Sequence, residues 1–257
     1  MNLQNGNCLD LMKDLPDKSI DLFICDLPYG ETNCKWDSKI DMDEFWSEFK
    51  RLRKSKRTAC IHFCSTKFGY TLIKSWEKGF KMDMVWKKRN KTGGLQSRHR
   101  PMRNHEMVYF FYEQAPKYNR DKYHKRIVAT KPNVKEEVVE DMDEFGWSIG
   151  KLPKENRGKE GFKPVLPVSV VEEDEPKSMF ESTKVFIGKR HHQTEKPQDI
   201  LEFFLKYWTD EGDTILDPTM GSGSTGIACK KLNRKFIGFE LDEKIFKVAK
   251  NRCKCGS

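Results

Sequence analysis

Ile20-Asp21-Leu22-Phe23-Ile24-Cys25-Asp26-Leu27-Pro28-Tyr29 decides how the rest of the chain is read. A short apolar run closed by a proline turn predicts a buried strand that stops abruptly. Open α/β sheets keep their ligands beyond the carboxyl ends of the strands, so this strand delivers Asp26 to such an edge. Tyr29 follows in a turn stiffened by Pro28. An acid, a fixed turn and an aromatic face suit a planar ring that carries an amino group. On this stretch alone, an ordinary strand exit with a capping Asp and a packed Tyr fits equally well.

Outward from it, strand and helix patterns alternate. Residues 2–4 read as a strand, 8–15 as a helix, 41–52 as a second helix, 58–64 as a strand, 68–78 as a helix, and 80–86 and 107–112 as strands. In the second helix, Met42, Phe45, Trp46, Phe49 and Leu52 recur three and four apart, which gives one core-facing stripe. This alternation predicts a largely parallel sheet. From about 113 to 184 the rhythm breaks into polar, turn-rich sequence, too long for a plain loop. It resumes with a helix over 198–208, a strand over 214–217, a glycine-rich bend into a helix reaching 232, a strand over 235–240 and a closing helix over 241–252.

Gly221-Ser222-Gly223-Ser224-Thr225-Gly226 fits G-x-G-x-x-G, follows a strand, opens a helix, and is answered by Glu240 at the end of the next strand. A nicotinamide or flavin dehydrogenase therefore stays open as a reading. Against it, Asp217 ends the strand before the glycines, with Pro218-Thr219-Met220 between. A carboxylate there repels a pyrophosphate and suits a ligand carrying an ammonium and a sulfonium. S-adenosylmethionine is such a ligand, with a ribose for Glu240. No Gly-Lys-Ser/Thr follows, which disfavours a phosphate-binding loop of the nucleoside-triphosphatase kind.

The net charge is +9 over 257 residues, which favours polyanionic partners. Lys87, Lys88, Arg89, Lys91, Arg98, Arg100 and Arg103 lie among Trp86, Tyr109 and Tyr112, a mixture that suits phosphates and unstacked bases. Eight cysteines show no paired framework, and Cys25, Cys60 and Cys64 sit inside strand-like runs. No run approaches the roughly 20 apolar residues of a membrane span, and no secretory signal opens the chain. A reduced, soluble intracellular protein is expected, with no membrane partner and no metal site. His62 reads as a core histidine and Cys25 as a buried strand residue.

Asp26-Leu27-Pro28-Tyr29, Glu195-Lys196-Pro197 and Asp217-Pro218-Thr219-Met220-Gly221-Ser222-Gly223-Ser224, in that order, resemble the beta group of DNA amino-methyltransferases. Asn5-Gly6-Asn7-Cys8 and the run from Leu15 to Asp21 share the likeness, which covers about 2–112 and 185–252. The resemblance implies a Rossmann-like α/β methyltransferase fold: a mostly parallel sheet with helices on both faces, a circularly permuted motif order and an inserted target-recognition region. Residues 1–112 would be the catalytic part, 113–184 the insert and 185–257 the cofactor-binding part.

It further implies transfer of methyl from S-adenosylmethionine to the N6 amine of an adenine flipped out of double-stranded DNA. Asp26 and the carbonyl of Leu27 would accept hydrogen bonds from the amine, Pro28 would shape the turn and Tyr29 would stack on the base. Asp217, Thr219, Gly221, Gly223 and Ser224 would hold the methionine part, Glu240 and Leu241 the nucleoside, and Asn7 and Cys8 would lie near the adenine. Lys196, followed by Pro197, would meet the methionine carboxylate. The basic run from Lys87 to Arg103 would track phosphates. Asp at the head of the tetrad favours adenine; N4-cytosine or RNA methylation on the same fold, and an inactive DNA-binding protein, remain alternatives. A monomer or homodimer is expected, of the kind found in restriction–modification systems. Three positions depart from the family habit: Leu27 replaces a proline, Thr219 a phenylalanine and Asn7 an aspartate.

Overall fold

A computed structural model of the chain describes residues 1–30, 40–92, 94, 97–99, 101–119, 122, 170–172 and 195–255; for 89–92, 170–172 and 255 only the backbone is described. Two compact units divide the chain, Met1–Asn119 with Val168–Ser257, and Arg120–Pro167; everything below concerns the first.

Its strands are β1 (Asn2–Asn5), β2 (Leu22–Cys25), β3 (Ala59–Cys64), β4 (Phe80–Thr92), β5 (Arg103–Phe111), β6 (Val170–Glu172), β7 (Thr214–Asp217) and β8 (Lys235–Glu240). The described helices are α1 (Cys8–Lys13), α2 (Met42–Leu52), α3 (Thr66–Ser75), α4 (Gln198–Trp208), α5 (Ser224–Lys231) and α6 (Glu243–Cys255). The strands form one sheet in the order β1-β8-β7-β2-β3-β5-β4-β6.

β2 and β7 lie side by side and parallel, with Leu22 opposite Ile215 and Phe23 opposite Leu216. From β2 the chain continues to β3 on one side; from β7 it continues to β8 on the other. This divergence is the topological switch point, where an open α/β sheet leaves a crevice at its carboxyl edge. Asp26 and Asp217 are both brought to it.

Seven strands run one way and β5 runs against them, antiparallel to both β3 and β4. Only residues 93–102 separate β4 from β5, and a parallel return needs a dozen or more residues, so a hairpin forms instead. This hairpin outruns the strands read from the sequence. Its extension pairs Trp86 with Glu106 and Lys87 with His105, polar positions that give no apolar alternation.

β6 falls inside the stretch read as an insert from 113 to 184, yet it pairs in parallel with β4. At the other end the amides of Glu113 and Gln114 both bond the carbonyl of Lys56, and Asn119 Nδ2 bonds the carbonyls of Lys206 and Thr209 at the end of α4. The compact division therefore falls at 120–167, inside the boundaries drawn from composition.

Alternation along β3 feeds both faces of the sheet. Cys60, His62 and Cys64 face α2, where His62 packs against Phe45 and Trp46. Phe63 points the other way, edge-on to Phe204 of α4. Among the described residues no helix is long and apolar enough to cross a membrane.

Candidate active site

The turn after β2 is fixed from three directions. Tyr29 donates its hydroxyl to Asp26 Oδ1 at 3.1 Å and stacks on Phe68 of α3, with centroids 5.1 Å apart. Lys196 Nζ donates to Asp26 Oδ2 at 2.5 Å. Thr219 Oγ1 donates to the main-chain oxygen of Asp26 at 3.0 Å. Leu27 is buried. Burial, with the negative charges of Asp26 and Glu106, pushes the Tyr29 phenol well above its usual range.

Lys196 precedes α4 and is largely buried, its ammonium lying 5.1 Å from the Phe63 ring centroid and 5.7 Å from that of Trp86. Burial alone would lower its pKa; the charges of Asp26 and Glu106 outweigh it and hold the ammonium on. The sequence reading put this cation at a methionine carboxylate, whereas here its partner is Asp26. Pro197 follows as the cap residue of α4, with φ of −59°, an angle the pyrrolidine ring sets in advance.

The second wall is the loop between β7 and α5. Gly221 and Gly223 have φ of +53° and +83°, the left-handed region that favours glycine. A Cβ on Gly221 would point into open space, so no packing demands its absence there. Asp217, at the end of β7, accepts from Thr225 Oγ1 at 2.6 Å and from the Thr219 amide at 3.1 Å. Burial is the main cause that pushes its carboxyl up to about 7, against those two hydrogen bonds. Glu240, at the end of β8, accepts from the amides of Gly221 at 3.0 Å and Asp242 at 2.8 Å. Leu241 beside Glu240 is exposed.

Four side chains that carried no site assignment complete this wall. Ser224 Oγ donates to Glu195 Oε1 at 3.2 Å, and Arg252 of α6 also bonds that oxygen. Arg252 Nη1 reaches the Ser222 carbonyl at 2.9 Å and its hydroxyl at 2.6 Å. Gln198 Nε2 donates to the Ser224 carbonyl at 3.0 Å. Glu195 stands in the quoted tripeptide; Arg252 lies in a helix of ordinary composition and gave no signal.

Asn7 caps α1, its side chain accepting from the Leu9 amide at 2.9 Å. Burial pushes the neighbouring Cys8 thiol up to about 11, which keeps it uncharged. Of the basic residues, Lys87, Arg98 and Arg103 are exposed. Lys88 turns inward, pairing with Glu106 and lying over the Trp86 ring. The side chains of Arg89 and Lys91, and all of Arg100, lie outside the described residues.

One cluster stands behind the site. Cys25, Cys60 and His62 are wholly buried, with ligand-capable atoms within 4.8 Å of one another. Cys60 Sγ is 3.7 Å from Cys25 Sγ and 3.2 Å from His62 Nε2. The sequence reading placed Cys25 and His62 in the core and expected no metal.

The family model for N6/N4 DNA methylases matches residues 20–251. The chain belongs to the DNA methylase family. Its methylase relatives include the type II methyltransferase M1.MboII of Moraxella bovis, 27% identical over 92% of this chain and 90% of that protein. M2.LlaDCHI of Lactococcus lactis is 42% identical, but over 31% of this chain and 29% of its own length; M2.DpnII of Streptococcus pneumoniae matches over 27% of its length. The chain thus spans under a third of the length of these two relatives. Two solved structures share the fold. The M1.HpyAVI complex with SAM has a TM-score of 0.59 at 21% identity over 98% of both chains. The cytosine-N4-specific PvuII methyltransferase has 0.62 at 15% identity, over 97% of this chain and 85% of that one.

Proposed function

We propose that this DNA methylase transfers a methyl group from S-adenosylmethionine to the N6 amine of an adenine flipped out of double-stranded DNA. The observation that carries this reading is the joining of two turns at the β2–β7 switch point: the one with Asp26 and Tyr29, and the loop that follows Asp217 and is bonded through Gly221 to Glu240. The residues fit the cofactor: Asp217 ends the strand before the loop, where a carboxylate suits a cationic ligand, Glu240 ends the neighbouring strand, where an acid suits a ribose, and a Cβ on Gly221 would meet open space.

When bound, S-adenosylmethionine supplies a methyl whose carbon–sulfur bond breaks, its electron pair going to sulfur, as the carbon–nitrogen bond forms. The chain's own residues prepare the amine. An aromatic amine is a poor nucleophile because its lone pair is delocalised into the ring. Hydrogen bonds from its two N–H groups to the Asp26 carboxylate and the Leu27 carbonyl draw the nitrogen toward tetrahedral geometry. Asp26, or solvent, then takes the proton released on nitrogen. Tyr29 offers its ring to the extruded base. Fixed position and preorganised dipoles supply most of the acceleration. Asp in place of Ser at the head of the tetrad supports adenine over cytosine. The region around 113–184 reads the target, and Lys87 to Arg103 follows the phosphates.

Incubation with methyl-labelled S-adenosylmethionine and unmethylated double-stranded DNA, then digestion to nucleosides, tests the reading. Label on N6-methyladenine is expected. Label on cytosine alone overturns the base assignment, and no label on any DNA overturns the activity.

A further inference from the structure

Lys196 stands between two carboxylates. Its ammonium bonds Asp26 Oδ2 at 2.5 Å and lies 3.8 Å from Glu106 Oε2. Glu106 comes from β5, opposite Trp86 of β4. Its Oε1 pairs with Lys88, while Oε2 is buried with no hydrogen-bond partner. Buried acceptors are seldom left unmade, and each such atom calls for a reason. Here a donor stands close by, already engaged at Asp26.

This inference rests on the proposed methylation. There, the target amine donates to the same carboxylate whose Oδ1 already takes Tyr29 and whose Oδ2 takes Lys196. An ammonium held at 2.5 Å competes for that oxygen. We propose that Glu106 is a positioning residue that receives the Lys196 ammonium when the target amine donates to Asp26. The cation exchanges one carboxylate partner for the other. No bond is made or broken and no proton moves, so the net charge of the group is unchanged. The rings of Phe63 and Trp86 face the ammonium and favour a cation between the two carboxylates.

The charged groups around Asp26 come from several elements. Tyr29 faces it from its own turn, Lys196 from the segment before α4, Glu106 from β5, Asp217 from β7 and Cys64 from β3; Lys88 of β4 faces Glu106. Without Lys196 no ammonium sits on Asp26 and Glu106 has nothing to receive. Without Glu106, Lys196 stays on Asp26 and competes with the amine.

The experiment compares wild type, Glu106→Gln, Lys196→Met and the double variant on unmethylated phage DNA, with S-adenosylmethionine binding measured separately by calorimetry. Glu106→Gln is expected to lose about tenfold or more in kcat with cofactor affinity within about twofold. In a Lys196→Met background no ammonium is left to receive, so adding Glu106→Gln is expected to change kcat by less than about twofold. Glu106→Asp, which keeps the charge, should retain more activity than Glu106→Gln. A merely structural Glu106 gives additive losses in the double variant; that result, or a Glu106→Gln enzyme with wild-type turnover, overturns the inference. A wild-type chain inactive on every DNA overturns the functional reading itself.

Discussion

Thr219 Oγ1 donates to the main-chain oxygen of Asp26 at 3.0 Å, across 193 residues of sequence. This bond ties the turn after β2 to the loop after β7, and hence, in the proposed reaction, the acid assigned to the amine to the loop assigned to the methyl donor. In the sequence, Thr219 stands where the family habit is a phenylalanine. In the structure its hydroxyl is a cross-link, which a phenylalanine could not supply.

Thr219→Val keeps the shape and removes the donor. A neutral hydrogen bond contributes about 0.5–1.5 kcal/mol, so the melting temperature should fall by only a few degrees. Turnover should fall more steeply, about tenfold, because the Asp26 turn loses its register against the donor loop. Thr219→Ser should stay near wild type. Equal losses in Thr219→Val and Thr219→Ser would mean that the methyl group, not the hydroxyl, matters. Steady-state methylation alongside thermal denaturation checks this.

The carboxyl of Asp217 titrates at about 7 in the folded chain, mainly through burial, against an ordinary value of 3.8. The folded state then holds a proton that the unfolded chain has released, so stability falls as pH rises through the window from about 4 to 7. Above that window the loss is complete, on the order of 2–4 kcal/mol as an upper limit for so buried a group. Asp217→Asn should therefore be more stable than wild type at pH 8 in the absence of cofactor and indistinguishable at pH 4. A cationic ligand beside this loop favours the ionised form, so S-adenosylmethionine should flatten the wild-type dependence and bind Asp217→Asn more weakly. Urea denaturation of both proteins at pH 4, 6 and 8, with and without cofactor, supplies the comparison.

Arg252 bonds both the carbonyl and the hydroxyl of Ser222 and pairs with Glu195. Arg252→Met keeps much of the stem and removes the fork, taking this ion pair from Glu195, which is largely buried. A cost of about 2–3 kcal/mol is expected, since hydrogen bonds to charged groups are the stronger ones. That corresponds to a drop of roughly 5–10 °C in a chain of this size. The Michaelis constant for S-adenosylmethionine should rise severalfold while kcat stays within about twofold, because Arg252 braces the loop without touching the reacting atoms. A variant with a lowered kcat and an unchanged cofactor constant would contradict this assignment.

What the sequence made legible follows the range of each signal. Local ones carried far: Leu22 to Cys25 is a buried strand, and α4 spans Gln198–Trp208 as its apolar stripe predicts. The glycine loop was visible because Gly221 and Gly223 need positive φ. Contacts made across the sheet were not. Glu106 is a polar residue in a hairpin extension with no alternation, and its place beside Lys196 depends on β5 running antiparallel. That reversal comes from a short connection, not from any residue in the strand. Arg252 and Glu195 meet across 57 residues, and nothing local marks either as the other's partner. Composition drew the insert from 113 to 184, but Asn119 and β6 are joined to the sheet unit by hydrogen bonds that composition does not record.

Asn7 offers a way to separate capping from chemistry. Its side chain accepts from the Leu9 amide at the start of α1, and α1 begins at the crevice side of β1. Asn7→Ala removes the cap and should cost about 1 kcal/mol. Asn7→Asp restores the residue type usual in the family and adds a charge at a helix N-terminus, where a carboxylate is favoured. Its stability should equal or exceed wild type by a few tenths of a kcal/mol. If Asn7 serves only as a cap, both variants keep the wild-type affinity for S-adenosylmethionine once folded. If it lies against the cofactor adenine, as the resemblance implies, Asn7→Ala loses affinity severalfold beyond its effect on stability, and Asn7→Asp does not. Calorimetric titration at a temperature where both variants are fully folded separates the two outcomes.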